Sequence, residues 1–451
     1  MEEKADVLVV GGGPAGIVSA LTAVKYYPGK KFLVIRSVEN SVIPCGIPYM
    51  FSSLKNPDDN KLGYAALEKN GIATAVDEVV RIDRTKKIVE TKNNKHYSYE
   101  KLILSSGSLP VIPRIPGIDK KSVYPVYKDL NYLKDMVGVV KKAKNVLIVG
   151  GGFIGVEFAD EISKISGVNV YLVEILERIL ANSFDEEFSV VAEEKLKAKG
   201  VNILTSNKVI EFTGNEKVKQ VKFADGKTLN VDCVILGIGT VPNTKLAVDA
   251  GLDLGKGKGI WVDEYMRTTD SDIFAIGDCA GKRDFYTHRD APVMLASTAC
   301  AEARIAGANL YQVKVIRENK GTIAVYSTYI DGLVMGSAGL TENCAKKAGF
   351  EIVAGTAEGM DKHPAVLNGA VNTKVKLIFA KNSGILLGGQ VAGGMSFAEV
   401  VNLIGIAIQK RMSATELETL QVATHPYLTS APTTYPIVLA AQNASSKMWK
   451  S

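Results

Sequence analysis

The residues with the clearest chemical meaning are two glycine triplets, each of which directly follows a short apolar run. The triplets share the spacing Gly-x-Gly-x-x-Gly and comprise Gly11, Gly13 and Gly16 in the first loop and Gly150, Gly152 and Gly155 in the second. In such a loop the first glycine makes a tight turn, the second lets the backbone approach a pyrophosphate, and the third lets a helix pack on a strand. The N-terminus of that helix directs N–H groups and a positive dipole end at the phosphates. Two such loops predict two bound dinucleotides and electron transfer between them.

The residue that would contact each ribose lies at the end of the next apolar run. About 20 positions after the glycines, an acidic residue usually accepts hydrogen bonds from the adenosine ribose. After the second loop this residue is Glu174, whose carboxylate would repel a 2′-phosphate and so predicts NADH rather than NADPH; a solvated glutamate is the alternative. After the first loop the equivalent residue is Arg36. There Glu39 could substitute for it, the guanidinium could stack on an adenine, or Arg36 could be an ordinary surface residue.

Asp278 indicates which dinucleotide belongs to the first loop. It ends the later apolar run Ile273–Gly277. A carboxylate at the end of such a strand can lie against the polyol chain of a flavin, so the pattern favours FAD at the first loop and NADH at the second. A capping aspartate is the alternative.

The composition of the 451-residue chain, with 46% apolar and 23% charged residues, is that of a globular protein. Its length predicts roughly two to four domains. The net charge of +6 is modest, and without a basic run it does not indicate nucleic acid. The run Val7–Val10 is too short for a signal peptide, and no run approaches the ~20 residues of a membrane span. The five cysteines form no CxxC pair, which is typical of a reducing cytoplasm, and we expect no metal site.

The elements that must position these residues are those of an α/β protein. Strands and helices alternate over 1–115 and again over 116–245, as in two Rossmann-like dinucleotide-binding domains. A strand at Ile273–Gly277 and a helix near 294–310 return the chain to the first domain over 246–320. The pattern then changes to strands followed by helices, which predicts an α+β unit over 321–451.

With these motifs the chain resembles the FAD-dependent pyridine nucleotide-disulfide oxidoreductases over nearly its whole length. Besides the glycine loops, the resemblance rests on Thr268–Asp278 and Gly239–Thr244. It implies an FAD domain interrupted by an NAD domain, a C-terminal dimerisation domain, and therefore a homodimer that uses FAD and NADH. The further residues that it implies for the cofactor sites are Pro14, Ala15, Gly107 and Gly239.

Two segments depart from the family pattern. Ser105-Ser106-Gly107 stands where Ala-Thr-Gly is usual, and Val241 stands where arginine is usual.

Cys45 carries the chemistry that this resemblance implies. Glutathione-reductase-like members have a second cysteine where this chain has Met50, so the segment is similar instead to the single-cysteine branch. That branch includes coenzyme A-disulfide reductases, NADH oxidases, NADH peroxidases and persulfide reductases, and Ser41 matches a residue that lines the coenzyme A site. We expect Cys45 to open a helix whose dipole stabilises the thiolate; a buried structural cysteine is the alternative. The other cysteines are expected in the core: Cys233, Cys279, Cys300 and Cys344.

The C-terminal part of the chain offers two proton donors. His425 matches the histidine with which dithiol reductases act in the partner subunit's site, although the glutamate that orients it there is Ser430 here. Tyr427 matches a tyrosine that protonates the leaving thiolate in coenzyme A-disulfide reductases. A second tyrosine of those enzymes, near Leu367, is absent, and His363 is close in sequence. Either His425 or Tyr427 could donate the proton, and an interface histidine without a catalytic role is the alternative.

The combined interpretation is a cytoplasmic homodimeric flavoenzyme that passes electrons from NADH through FAD to a disulfide or persulfide sulfur on Cys45. The acceptors implied are coenzyme A disulfide, a persulfide or polysulfide. Oxidases and peroxidases of this branch carry a histidine inside the first glycine loop, and Pro14 occupies that position here. Two alternatives remain open: an NADH oxidase that reduces oxygen, and a reductase of an electron carrier such as rubredoxin, for which Cys45 would be dispensable.

Overall fold

The structure is a computed structural model that describes residues 2–291, 293–317 and 321–449. The chain divides into two compact units. Unit 1 comprises Met1–Ile112, Pro125–Val139 and Gly239–Thr322, and unit 2 comprises Pro113–Tyr124, Val140–Ile238 and Ile323–Ser451. Both units combine helices with sheets, which confirms the predicted α/β class. The domain limits at 115 and 245 remain predictions, and the limit at 320 lies outside the described residues.

A five-stranded parallel sheet forms the centre of unit 1. Its strands, in spatial order, are Ile273–Ala275, Lys101–Leu104, Val7–Val10, Phe32–Arg36 and Ala73–Val76. Because successive side chains of a strand point to opposite faces, Val7 and Val9 belong to one core and Leu8 and Val10 to another. The helices Pro14–Tyr26 and Ala296–Ala308 contribute to the core that contains Val7. The first glycine loop therefore leaves a fully buried strand and enters a helix that packs on the same sheet.

Smaller elements complete unit 1. A four-stranded sheet contains Glu2–Lys4, His96–Ser98, Ile88–Thr91 and Val79–Asp83, and a two-stranded sheet pairs Ser108–Pro110 with Thr240–Pro242. The shorter α-helices are Ala65–Lys69, Leu130–Val140 and Lys245–Asp249. The 3₁₀-helices are Pro44–Gly46, Pro48–Phe51, Pro57–Asn60 and Gly277–Cys279.

Unit 2 contains a second dinucleotide-type sheet. Its strands, in spatial order, are Val123–Pro125, Cys233–Leu236, Asn145–Val149, Asn169–Val173 and Asn202–Leu204. The accompanying helices are Phe153–Ser163 and Glu186–Ala198, and a three-stranded sheet is formed by Val209–Thr213, Gln220–Phe223 and Thr228–Asn230. The second glycine loop connects the central strand of this sheet to the first of these helices, as the first loop does in unit 1.

The C-terminal part of unit 2 is a five-stranded antiparallel sheet with helices. The strands, in spatial order, are Val325–Ile330, Leu333–Gly339, Leu386–Gly393, Asn372–Ala380 and Ile352–Met360. The α-helices are Glu342–Lys347, Val400–Gln409, Ala414–Glu418 and Pro436–Met448, and the 3₁₀-helices are Met395–Phe397 and Pro432–Thr434. Within the described residues, no helix combines the length and the apolar composition that crossing a bilayer requires.

Candidate functional site

The first glycine loop has the geometry that a bound pyrophosphate needs. Gly11 has a φ of +113°, and a Cβ there would lie 2.2 Å from the carbonyl oxygen of Ser105. A Cβ on Gly16 would lie 2.0 Å from the oxygen of Gly11. A Cβ on Gly13, in contrast, would meet no described atom within 4 Å. Two positions therefore exclude a side chain because the protein fills the space, whereas the middle one leaves the backbone open to a ligand.

The second loop repeats this arrangement in unit 2. Gly150 has a φ of +106°, and a Cβ there would lie 2.6 Å from the oxygen of Gly237. A Cβ on Gly155 would lie 1.8 Å from the oxygen of Gly150, whereas one on Gly152 would meet no described atom within 4 Å. Both loops thus present an open middle glycine at a helix N-terminus, and the residues present fit two dinucleotides.

Pro14 and Ala15 begin the helix after the first loop. Pro14 is its first residue, a position where the missing N–H costs nothing because it would have no partner in the helix. Ala15 is buried, and its Cβ would lie 3.1 Å from a Cβ on Gly277. The start of this helix therefore lies against the turn that leads to Asp278.

Glu174 is held in place by the second glycine loop. Its Oε2 accepts a hydrogen bond from the N–H of Gly151 at 2.6 Å, and its Oε1 accepts one from the N–H of Leu176 at 2.9 Å. These bonds hold the carboxylate against Gly151, the residue before the open Gly152.

Arg36, at the equivalent position of unit 1, contacts an aromatic ring. Its guanidinium lies 4.3 Å from the ring centroid of Tyr64, and its Nη1 donates to the oxygen of Val38 at 2.7 Å and to that of Glu39. The Nε is buried and has no hydrogen-bond partner among the described residues. The hydroxyl of Tyr64 donates to the oxygen of Gly12 at 3.0 Å, which links Arg36 to the first loop. Glu39 contributes its carbonyl to this arrangement.

Asp278 lies within hydrogen-bonding reach of two side chains of unit 1. Its Oδ2 accepts from the Oγ of Ser108 at 2.8 Å and lies 3.5 Å from the Nζ of Lys128. Gly107 and Gly239 flank the small sheet to which Ser108 belongs: the oxygen of Gly107 accepts from the N–H of Asn243 at 2.9 Å, and that of Gly239 accepts from Val111 at 3.0 Å.

The two departures from the family pattern have different surroundings. Ser105 is buried, and its hydroxyl lies within hydrogen-bonding distance of the backbone oxygens of Val10, at 3.0 Å, and Gly11, at 2.9 Å. Ser105 therefore supports the start of the first glycine loop. Val241 is 45% exposed on the small sheet, opposite Leu109.

Cys45 is exposed and lies in the middle of the 3₁₀-helix Pro44–Gly46. The expectation that it opens a helix is met only by this single turn, whose dipole is weaker than that of a full helix because fewer peptide units are aligned. Asn60, which is 3% exposed, holds the turn: its Nδ2 donates to the oxygen of Ile43 at 3.1 Å, and its backbone carbonyl oxygen accepts from the Ile43 N–H at 2.9 Å. A Cβ on Gly46 would lie 1.9 Å from the Asn60 Oδ1.

Asn60 was missed by the sequence analysis, since an asparagine 15 residues beyond the cysteine carries no local signal. Ser41 lies in the preceding stretch, where its oxygen accepts from the N–H of Leu62 at 2.9 Å and its Oγ lies 3.4 Å from the oxygen of Val38. The residues that precede Cys45 are thus hydrogen-bonded to Asn60 and Leu62 of unit 1.

His425 and Tyr427 lie on an exposed turn of unit 2. The Nδ1 of His425 accepts from the N–H of Tyr427 at 3.3 Å, and the Tyr427 residue is 58% exposed. His363 packs against the same turn: its N–H donates to the oxygen of Pro426, and its Nδ1 lies 3.0 Å from the oxygen of Thr429. A carbonyl oxygen can only accept, so this contact requires the proton on Nδ1 of His363 and leaves Nε2 as an acceptor in the neutral ring.

Ser430, where the resemblance would place a glutamate, is 1% exposed, and its Oγ has no hydrogen-bond partner among the described residues.

Glu157 is a further titratable group that the sequence analysis missed. It follows the second glycine loop in the helix Phe153–Ser163, and its Oε1 accepts from the Oγ1 of Thr328 at 3.0 Å. Burial raises the pKa of Glu157 to about 7, and the nearby carboxylates of Asp160 and Glu161 act in the same direction. A carboxyl group that titrates near neutral pH therefore lies one helical turn from the loop.

The remaining cysteines differ in burial. Cys233 and Cys279 are 0% exposed, as expected for core residues, and Cys300 is half-buried. The expectation for Cys344 was wrong: it is exposed, because the short helix Glu342–Lys347 turns only Ala345 fully into the core. Among the described residues, no group of three or more His, Cys, Asp or Glu side chains is arranged to hold a metal ion.

Comparison with known proteins identifies the family to which this chain is similar. The family model described as pyridine nucleotide-disulphide oxidoreductase matches residues 5–303, and the model of its dimerisation domain matches residues 325–436. An NADH oxidase of Methanocaldococcus jannaschii is 30% identical over 98% of this chain and 99% of that protein. An NAD(P)H coenzyme A polysulfide/persulfide reductase of Pyrococcus horikoshii is 31% identical over 86% of this chain and 88% of that protein. The solved structure of an NAD-dependent persulfide reductase from A. fulgidus has a TM-score of 0.91, with 26% identity, 100% of this chain covered and 84% of that chain.

Proposed function

Because this chain belongs to the pyridine nucleotide-disulphide oxidoreductase family, we propose that it reduces a small disulfide or persulfide with electrons from NADH, through FAD. The acceptor class is coenzyme A disulfide, coenzyme A persulfide or polysulfide. The observation that carries this proposal is the exposed Cys45 on a turn held by a buried asparagine. An exposed sulfur on a rigid turn is accessible to a substrate sulfur, and the turn keeps the cysteine in place during the contact.

The chain supplies two sets of residues for the two dinucleotides. The first loop with Arg36 and Asp278 would hold FAD, and the second loop with Glu174 would hold NADH. When bound, FAD supplies the two-electron redox chemistry that amino-acid side chains lack. The protein supplies binding, orientation and the reacting thiol.

Cys45 acts as the nucleophile of the proposed reaction. Its thiolate attacks one sulfur of the substrate disulfide, so that a mixed disulfide forms and the first substrate thiolate leaves with a proton. Two electrons then cleave the mixed disulfide, which restores the Cys45 thiolate and releases the second thiolate. His425 or Tyr427 of a partner subunit would give the leaving thiolate its proton, since both lie on an exposed turn within the matched dimerisation domain.

A homodimer follows from the same proposal. The matched dimerisation domain carries exposed apolar side chains, including Met395 at 69% and Leu428 at 64% exposure, which a second copy of the chain would cover. A reducing cytoplasm is the compartment that we propose, because Cys45 has to return to the thiol state between turnovers.

An NADH oxidase is the second candidate, favoured by the relative from Methanocaldococcus jannaschii that bears this name. Pro14 argues against it: the resemblance implies a histidine at this position in oxidases and peroxidases, and a proline there can neither donate a hydrogen bond nor carry a proton.

The test is NADH consumption by Cys45→Ser and the parent, with coenzyme A disulfide, coenzyme A persulfide, polysulfide and oxygen as acceptors. The serine variant should bind FAD and accept electrons from NADH but lose turnover with the three sulfur acceptors. Cys344→Ser, a change at another exposed cysteine, is the matched control and should keep parental rates. Equal reduction of sulfur acceptors by Cys45→Ser and the parent contradicts the proposal, and turnover with oxygen alone supports the oxidase.

A further inference from the structure

Lys282 and Glu302 form a buried ion pair against the turn that carries Asp278. The Nζ of Lys282 lies 3.0 Å from the Oε2 of Glu302, and the two side chains are 4% and 3% exposed. Charges so deeply buried are costly to remove from water, and loss of either partner leaves the other uncompensated. Neither residue belongs to a glycine motif or to the strand Ile273–Ala275 that precedes Asp278.

The ion pair satisfies both backbone polar groups of Gly277. The Oε2 of Glu302 accepts from the Gly277 N–H at 2.9 Å, and the Nζ of Lys282 donates to the Gly277 oxygen at 2.6 Å. The same Nζ donates to the oxygen of Ala280 at 3.1 Å, so it closes the turn from its far end. Gly277 has a φ of +72°, a conformation that glycine adopts readily and that residues with a side chain rarely adopt, so glycine itself does not hold the turn in place. The direction in which Asp278 leaves the backbone is therefore set by side chains from outside the turn.

A second cation acts on the same carboxylate. Arg317 interacts electrostatically with Glu302, and its Nη2 donates to the oxygen of Gly321 at 3.0 Å. Glu302 is thus the single buried anion between two cations, among the groups that the structure describes there. Its loss is expected to be more disruptive than the loss of Lys282, because it leaves the buried Lys282 without its counter-ion and removes one of the two acidic partners of Arg317, of which Glu264 remains.

We propose that Lys282 and Glu302 are positioning residues for FAD, which they hold through the Gly277–Asp278 turn. This inference rests on the proposed assignment of FAD to unit 1. It goes beyond the proposed reaction, since it concerns what retains the cofactor and not what the cofactor reduces. The ion pair fixes the turn, the turn fixes the Asp278 carboxylate, and a turn without the pair would release FAD more readily.

The experiment compares FAD release from the parent holoenzyme with release from Glu302→Gln, Lys282→Met and Lys282→Arg. The rise of flavin fluorescence after dilution gives the release rate at room temperature, and circular dichroism shows that each variant is folded there. Glu302→Gln should release FAD at least about tenfold faster, since it leaves the buried Lys282 without a counter-ion and weakens the pairing of Arg317, and Lys282→Met should do so by a smaller factor. Lys282→Arg keeps the charge and should stay nearest the parent.

The matched control is Lys376→Met, which removes a buried cation from unit 2. The Nζ of Lys376 lies 3.0 Å from the Oδ2 of Asp185 and 2.7 Å from the Oε1 of Glu342. This variant should unfold at a lower temperature without faster FAD release. The visible absorption maximum of the bound flavin is a second readout, and it should move in Glu302→Gln and not in Lys376→Met, since a general loss of stability does not change the surroundings of the flavin.

Parental release rates in folded Glu302→Gln and Lys282→Met overturn the proposal, as does equally fast release from Lys376→Met. If Glu302→Gln does not fold, the difference between Lys282→Met and Lys282→Arg decides in the same way. A parent that retains FAD but reduces no disulfide or persulfide contradicts the proposed function and leaves this inference standing.

Discussion

Glu174→Gln separates the charge of this residue from its hydrogen bonds. The carboxylate accepts one bond from the Gly151 N–H at 2.6 Å and one from the Leu176 N–H at 2.9 Å. Glutamine has the same shape and retains one carbonyl oxygen, so it can keep one of these bonds while the negative charge is lost. The second glycine loop should therefore keep its position, and a change in nucleotide preference would report the charge itself.

The expected effect is a larger rate with NADPH. Two unit charges 4 Å apart interact with about 4 kcal/mol at an effective dielectric constant of about 20, and salt and solvent reduce this at a partly exposed site. Glu174 is half-buried, so we expect about a third of that energy, or a factor of about 10 in kcat/KM for NADPH. The rate with NADH should fall by less, because the 2′-hydroxyl exchanges a charged acceptor for a neutral one.

Flavin reduction by each nucleotide, followed by the loss of visible absorbance at low and at moderate salt, measures both effects. The gain with NADPH should shrink at higher salt, since it is electrostatic in origin. Glu177→Gln removes an exposed carboxylate three residues further along and is the matched control, with no expected change in preference. The reasoning is refuted if the parent already uses NADPH as well as NADH, or if the two glutamine variants behave alike.

Other residues give predictions of a different kind. Gly155→Ala should destabilise the fold, because the new Cβ would lie 1.8 Å from a backbone oxygen. At Gly152 a new Cβ would meet no described atom within 4 Å, so Gly152→Ala should keep the parental stability and raise the KM for NADH. Urea midpoints and KM values together test this contrast. The pKa of Glu157 is about 7 against an ordinary 4.5, so the folded state binds this proton more tightly than the unfolded chain does. The free energy of unfolding should therefore fall by about 3 kcal/mol as pH rises from below 4.5 through 7. Urea midpoints of Glu157→Gln should show a correspondingly flatter pH profile, and identical profiles would contradict the assignment. Tyr427→Phe and His425→Ala should leave flavin reduction by NADH near normal. Substitution of whichever residue is the proton donor should slow acceptor turnover by roughly 10²–10⁴-fold in stopped-flow measurements.

The parts of the fold that the sequence predicted are those encoded by adjacent residues. The run Val7–Val10 and the glycines after it specify a buried strand, a turn and a helix without reference to the rest of the chain, and the structure has them. The helix expected near 294–310 lies at Ala296–Ala308 for the same reason. The closing helix Pro436–Met448 was not predicted, because its small and polar residues give only a weak apolar stripe.

The parts of the site that could not be predicted depend on partners distant in the chain. Asn60 reaches the cysteine turn from 15 positions away, and Lys282 meets Glu302 across 20 positions; neither spacing follows a helical or strand period. Cys344 was misplaced because exposure depends on how a short helix is oriented against its sheet, which no local pattern records. The local motifs could therefore be recognised in the sequence, whereas the distant residues that support them could not.

The exposure of Cys45 sets a limit on the working life of each molecule. A thiolate that is exposed to a sulfur substrate is also exposed to hydrogen peroxide, which converts it first to a sulfenic acid and then, irreversibly, to a sulfinic acid. In the proposed reaction, electrons from NADH would also reduce the sulfenic acid at Cys45, whereas they would not reduce the sulfinic acid. If that proposal holds, a molecule without reductant would be inactivated by oxidants faster than one that is turning over, so NADH would protect the enzyme as well as supply its electrons.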